Sequence, residues 1–196
     1  MAQPSPSPPP ERLPVHPFTW LPEARQMRAL VGATLLTALL MAAIFVTNAP
    51  LQNPAAPMGI VSLQLAGSLP AAREILISWG PAEQRWAALN LVVDYLYLLA
   101  YAAALGLGCL QLARQFSRCR CLAWLGVWVS WGVVGAAGLD AVENALLLRL
   151  LFGDLRESWA VLAFWCAVPK FALVLAALSY LSVGGLVCLV RKVATA

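Results

Sequence analysis

The run MRALVGATLLTALLMAAIFV, residues 27–46, decides the fold of this chain. Its 20 residues carry a single charge. A helix of that length measures about 30 Å at 1.5 Å per residue, which matches the hydrocarbon core of a bilayer. Because backbone polar groups find no water inside a bilayer, an apolar segment crosses it most simply as a helix. The run is therefore predicted to be a transmembrane helix.

Three further apolar runs have the same character, and each is too long for a strand of a soluble core. The four predicted spans are 27–47, 86–111, 122–152 and 158–190. The sequence therefore predicts an all-α, polytopic membrane protein: a four-transmembrane-helix bundle within residues 25–193.

The overall composition agrees with this prediction. Hydrophobic residues make up 61% of the 196 residues and charged residues only 11%, with a mean hydropathy of +0.77. A soluble domain has about 25% charged residues, so the composition excludes an ordinary soluble domain. The net charge of +4 comes from loops and helix ends. Since no basic stripe with interleaved aromatic residues exists, nucleic acid is not an expected partner.

The positive charges predict the orientation of the bundle. Residues 1–24 are rich in proline and serine and are predicted to be a disordered cytoplasmic tail. Eight basic residues precede the first span, separate the second from the third, or follow the fourth: Arg12, Arg25, Arg28, Arg114, Arg118, Arg120, Arg191 and Lys192. Four lie on the opposite side: Arg73, Arg85, Arg149 and Arg156. The positive-inside rule then places both termini in the cytoplasm of a multi-pass protein of the cell inner membrane.

The outer loop, 48–85, is the largest segment between two spans. Ser68 followed by Pro70 is typical of a helix start. An apolar face would follow on Ala72, Ile75, Leu76 and Trp79, and a second, weaker apolar set is Ile60, Leu63 and Leu65. We expect one or two short amphipathic helices that cover the outer end of the bundle.

Polar side chains interrupt the apolar spans in a regular way. Asp140, Glu143 and Asn144 in the third span are spaced i, i+3, i+4, which places them on one helical face. A matching stripe on the second span comprises Asn90, Asp94, Tyr97 and Tyr101, and the fourth span contributes Lys170. Helix rise and alternating direction place Asp94, Asp140 and Lys170 in the outer half of the membrane. We expect the charged groups to face the bundle interior, with Lys170 paired to Asp94 or Asp140.

Ionisable residues inside a membrane are candidates for function, because each charge at mid-membrane costs about 2.5–3.5 kcal/mol on insertion scales. The pattern predicts an outward-facing polar pocket that binds a small amphipathic molecule or a cation. The candidate lining residues are Asp94, Asp140, Glu143, Asn144, Lys170, Asn90, Tyr97 and Tyr101. Acid/base chemistry on a lipid-like substrate is one form that this function can take. The sequence is therefore compatible with both a binding protein and an enzyme.

Two other interpretations stay open. The polar cluster can act as interhelical glue in a structural or assembly subunit of a larger membrane complex, or the chain can be a small transporter that works as an oligomer. Membrane lipids are expected partners, together with a homodimer mate or a partner from a membrane complex. His16 is the only histidine, so we expect neither a metal site nor a cofactor.

Four stretches carry a resemblance to other proteins: AAPMGIVSLQLAG (55–67), LVVDYLYLLAY (91–101), LDAVEN (139–144) and VPKFALV (168–174). In this combination the chain resembles a group of bacterial four-helix integral membrane proteins that have no assigned activity. The resemblance implies the fold and adds no mechanism. A looser similarity to four-helix sterol isomerases of the emopamil-binding type is an analogy of fold alone.

Overall fold

The computed structural model describes residues 14–116 and 119–194. Its helices are α1 (Glu23–Asn48), α2 (Ile60–Gln64), α3 (Leu69–Ser78), α4 (Pro81–Gln115), α5 (Arg120–Leu151) and α6 (Glu157–Ala194), with a 3-10 turn at Ala49–Leu51. Four of them, α1, α4, α5 and α6, are long and apolar enough to cross a membrane. The described residues contain no strand beyond one isolated bridge between Asn53 and Ala56. The predicted all-α four-helix bundle is confirmed.

The long helices extend past most of the predicted spans, because each continues into the polar residues at its ends. α4 begins at Pro81, five residues before the predicted boundary at 86. Proline is favourable at the first helical position, where the missing N–H has no partner to lose. We call the end of the bundle that carries 49–80 and 152–156 the loop end. The end that carries the start of α1 and the finish of α6 is the terminal end.

The last part of the predicted tail, residues 14–24, lies within the described residues. Residues 14–22 form a turn, and α1 begins at Glu23. The reason is Phe18, whose ring is buried with Leu107 and Val127, between α4 and α5. One buried aromatic ring is enough to fix a short segment that composition alone marks as disordered. Residues 1–13, including Arg12, lie outside the described residues, as do Arg118 and the side chain of Lys192.

The four long helices are not packed equally. α4 packs extensively against both α1 and α5, and α5 packs against α6. Within the described part of the chain, α1 has its extensive contacts with α4 alone, and only Gln26 and Thr47 of α1 are buried. α1 is therefore a peripheral helix that lies beside a three-helix core of α4, α5 and α6.

The segment between α1 and α4 covers the loop end of this core. Ser68 caps α3, its hydroxyl accepting a hydrogen bond from the Ala71 N–H at 3.5 Å. The predicted apolar face is buried, as are Ile60 and Leu63 of α2. Trp79 is 1% exposed and donates its indole N–H to the carbonyl of Leu51 at 2.9 Å. Together these residues form a hydrophobic cluster with the loop-end residues of α4, α5 and α6.

Candidate functional site

The centre of the site is a buried ion triad between α5 and α6. The Lys170 Nζ lies 2.8 Å from Asp140 Oδ1 and 2.7 Å from Glu143 Oε2. The three side chains are almost inaccessible, with Lys170 5%, Asp140 6% and Glu143 0% exposed. The i, i+3 spacing on α5 directs both carboxylates at one lysine of α6. A buried cation held by two carboxylates joins these helices, and its removal would leave both carboxylates buried without a positive partner.

Two side chains of α4 extend the triad into a larger cluster. The Tyr101 hydroxyl donates to Asp140 Oδ2 at 3.0 Å, and Asp94 Oδ2 accepts from the Asn144 amide at 2.7 Å. Asp94 and Asp140 are also close enough for their like charges to interact. Polar groups from α4, α5 and α6 thus meet at one level of the bundle.

Two buried oxygen atoms of this cluster have no hydrogen-bond donor among the described residues. They are Glu143 Oε1 and Asn144 Oδ1. Glu143 Oε2 is also without a hydrogen bond of acceptable geometry, but its ion pair with Lys170 compensates for that. Leaving a buried acceptor unsatisfied costs about 1–3 kcal/mol, so the cluster contains more acceptors than its own donors can serve.

A cleft of about 590 Å³ lies on the α4 side of the cluster. α1 and α6 form its two walls, α4 forms its floor, and α2 closes its loop end. Because α1 and α6 do not pack along each other, the cleft opens sideways from the bundle. A sideways opening in a membrane-crossing bundle faces the lipid phase.

The lining of the cleft changes from polar to apolar along its length. The polar and charged lining residues near the loop end are Gln64, Asn90, Asp94, Tyr97, Tyr101, Asp140 and Lys170. The lining residues toward the terminal end are mostly apolar: Leu30, Ala104, Leu105, Gly108, Val174, Leu178 and Leu181. Thr34 and Thr37 donate their hydroxyls to carbonyls of their own helix, both at 2.8 Å. The lining of the cleft is therefore amphipathic, with one polar end and one apolar end.

Six of the eight candidate residues line the cleft, but Glu143 and Asn144 do not. Both are 0% exposed and lie behind the lining, in contact with Lys170 and Asp94 respectively. Of the two expected partners for Lys170, the structure selects Asp140 and adds Glu143. The pocket also opens at the side rather than outward, because α2 covers the loop end.

Asn90 has a positioning role in addition to its place in the lining. Its amide donates to the Thr47 hydroxyl at 2.7 Å and to the Ile44 carbonyl at 3.1 Å, so it fixes the last turns of α1 against α4. At the other end of α1, Arg114 donates to the Gln26 amide oxygen at 2.8 Å. α1 is thus held to α4 by side-chain hydrogen bonds near both of its ends.

Sequence reasoning missed the contribution of α1 to the cleft. Thr34, Thr37 and Met41 of α1 are lining residues and recur at helical spacing, at i, i+3 and i+7. That spacing was the available signal, but it is weak because threonine and methionine are common in membrane helices. α1 contributes no charged side chain to the cleft. It matters because it forms the wall opposite α6.

No group of three or more His, Cys, Asp or Glu side chains arranged to hold a metal ion occurs in residues 14–116 and 119–194. The carboxylates of the cluster are instead engaged by Lys170, Tyr101 and Asn144. No family model, no curated protein and no solved structure matches this chain.

Proposed function

We propose that this chain is a membrane protein that binds a small amphipathic molecule in the cleft between α1 and α6. The observation that carries the proposal is the polarity gradient of the cleft, from the Asp94 and Lys170 level to the apolar Leu178 and Leu181 level. Binding sites for small molecules are typically apolar cavities with a few converging polar groups, and this cleft has that composition. A ligand can enter from the lipid phase without any change in the three-helix core.

The dimensions of the cleft support a lipid-like ligand. Asp94 and Gly108 both line the cleft and are separated by 14 positions on α4. At the helical rise this separation is about 21 Å, while one leaflet of the hydrocarbon core is about 15 Å deep. A ligand whose head lies at Asp94 can therefore have a chain of leaflet length that runs along the cleft toward Gly108.

Photolabelling tests the proposal directly. The purified chain in nanodiscs is incubated with photoactivatable hexadecyl probes that carry neutral, cationic or anionic heads, and labelled peptides are mapped by mass spectrometry. We expect at least one probe to label cleft residues saturably. Thr37→Trp fills the cleft and should abolish this labelling. Leu39→Trp, at a position of α1 that is 67% exposed, should preserve it.

If every probe labels only the exposed apolar surface, without saturation, the proposal is wrong. The same holds if Thr37→Trp and Leu39→Trp have equal effects while both variants elute as folded, monodisperse protein. Either outcome would mean that the cleft is filled by ordinary lipid in the same way as any groove on the bundle surface.

Acid/base catalysis on such a ligand is the enzymatic form of this proposal. The supporting observation is that Asp94 is only half-buried, while Asp140 and Lys170 are buried beneath it. A cleft-facing carboxyl group beside the Tyr101–Asp140 hydrogen bond can exchange a proton with a bound head group. Asp94→Asn should then abolish turnover of a lipid-like substrate even at a saturating concentration of that substrate.

A structural role is the second candidate function, and the Glu143–Lys170–Asp140 triad favours it. Glu143 lies behind the lining of the cleft, and the three groups join α5 to α6. If the triad is only interhelical glue, Glu143→Gln and Asp140→Asn should reduce the stability of the chain and leave no separate defect in ligand binding. A stoichiometric partner that co-purifies in mild detergent would support an assembly subunit.

We further propose that the terminal end faces the cytoplasm in a bacterial inner membrane. Arg25, Arg28 and Arg114 lie toward that end, as do Arg120 and Arg191. The positive-inside rule supports the assignment. Single cysteines introduced at Ser78 and at Ala194 of a cysteine-free variant should react with a membrane-impermeant maleimide from opposite sides. Labelling of position 194 from outside intact cells would reverse the orientation.

A further inference from the structure

The charge balance of the polar cluster indicates which head group the cleft selects. Three carboxyl groups, Asp94, Asp140 and Glu143, are gathered around one ammonium group, that of Lys170. Both ion pairs of Lys170 go to α5. Asp94 of α4 has no ion pair in the described part of the chain, and its side-chain amide donor is the neutral Asn144. The cluster therefore has a deficit of positive charge that is greatest at Asp94.

The hydrogen-bond balance points in the same direction. The two unpartnered oxygen atoms, Glu143 Oε1 and Asn144 Oδ1, belong to fully buried side chains of the cluster. Tyr101 already donates its hydroxyl to Asp140. Neither unpartnered atom lines the cleft, so an incoming head group would meet the carboxylate of Asp94, which only accepts hydrogen bonds, and a head with several N–H donors would suit it.

Aromatic rings complete the surroundings of Asp94. Tyr97 and Tyr101 line the cleft one turn apart, with ring centroids 5.3 Å from each other. Aromatic faces attract cations, and the attraction is stronger where water is excluded. An anionic head would instead approach the carboxyl groups of Asp94 and Asp140, and the Lys170 ammonium is already held by two carboxylates. Like-charge repulsion of this kind is how a site rejects the wrong ligand.

From these observations we infer that the cleft selects a single-chain aliphatic amine or ammonium amphiphile, whose cationic head lies against Asp94. The chain of the ligand would run between α1 and α6 toward Leu178. This inference rests on the proposed binding function and specifies the class of its ligand. The competing neutraliser of the cluster is a proton, and a protonated cluster would accept a neutral alcohol as readily as an amine.

The test measures head-group selectivity at constant chain length. The full chain is reconstituted in nanodiscs of zwitterionic lipid, and binding of radiolabelled hexadecylamine, hexadecanol and hexadecyl sulfate is measured separately, with empty nanodiscs as background. Competition is measured against labelled hexadecylamine. Unlabelled hexadecylamine, hexadecanol and hexadecyl sulfate then compete for the site. We expect hexadecylamine to compete at least ten times more strongly than hexadecanol and hexadecyl sulfate to be the weakest of the three.

Substitution at Asp94 provides the second measurement. Asp94→Asn preserves the shape of the side chain and removes its charge, so it should weaken binding of hexadecylamine about tenfold and leave hexadecanol unaffected. The matched control is Glu83→Gln, which removes a carboxylate from the same helix at a position outside the cleft lining and should change neither affinity.

The outcomes separate the two proposals. Equal competition by amine, alcohol and sulfate would overturn the inference about the head group, while saturable binding would still support the proposed function. Absence of saturable binding for all three would overturn both. Should Asp94→Asn fail to fold, the ranking of the three competitors on the parent chain still decides the matter, since it requires no variant.

Discussion

Removal of the buried Lys170 ammonium is the most demanding test of the structure. Lys170→Met replaces the ammonium with an apolar side chain of similar length. Asp140 and Glu143 then stay buried and face each other without a positive partner. Loss of one member of a buried ion pair costs about 3–5 kcal/mol, and here one lysine serves two carboxylates. We therefore expect a loss of unfolding free energy at or above about 4 kcal/mol.

The second step of this experiment removes one of the two unpaired carboxylates. Glu143→Gln in the Lys170→Met background removes one of the stranded charges, so the double variant should recover part of the lost stability. Glu143→Gln alone leaves the Lys170–Asp140 pair intact and should cost about 1–2 kcal/mol. The four proteins form a double-mutant cycle, with unfolding followed by far-ultraviolet circular dichroism in mixed micelles of increasing denaturing-detergent fraction.

Positions 143 and 170 should be energetically coupled. The coupling energy between the two positions should exceed about 1 kcal/mol, because residues in one ion-pair network do not act additively. Additive effects, or a Lys170→Met variant within about 0.5 kcal/mol of the parent, would refute the triad as the structure shows it. Either result would mean that water or another group already serves these carboxylates.

Two further predictions concern other parts of the bundle. Gly126→Ala would place a methyl group against the Tyr180 ring and 2.8 Å from the Ala113 Cβ, so it should cost about 1–3 kcal/mol in the same unfolding assay. Gly135→Ala meets nothing within 4 Å and should be neutral or slightly stabilising, since alanine is the better helix former; equal effects of the two changes would contradict the packing. In the loop after α5, the hydrogen bond from the Trp159 indole, followed by those from Arg156, lowers the pKa of Asp154. A lowered folded-state pKa contributes stability above the usual carboxyl pKa and loses it as the pH falls through the folded value, so 13C-carboxyl NMR should show Asp154 titrating at lower pH than an unfolded aspartate, and Trp159→Phe should move that titration upward.

The sequence predicted the helices well because the signal for a membrane helix is long and local. Each span contains more than enough apolar residues to cross a bilayer, so its existence does not depend on what surrounds it. The helical face of Asp140, Glu143 and Asn144 was equally predictable, because it follows from spacing on one helix. The amphipathic helix after Ser68 was confirmed for the same reason.

Contacts between helices were less predictable, because hydropathy does not specify which helices are neighbours. The partner of Lys170 depended on the rotation of α5 relative to α6, which no pattern on a single helix defines. The position of Glu143 behind the lining of the cleft depended on the same rotation. The position of Phe18 was missed since one aromatic ring in a proline-rich segment leaves no periodic signal.

The side-chain hydrogen bonds near the two ends of α1 affect the range of ligand widths that the cleft can accept. Asn90 fastens one end of α1 and Arg114 the other, whereas the stretch between them, from Thr34 to Met41, faces the cleft. We expect this stretch of α1 to move away from the cleft when the ligand is wide and toward it when the ligand is narrow, with little loss of packing contacts. Substitutions on α1 alone would therefore change the width of the ligand that the cleft accepts. The charged residues that would bind the head group would stay the same.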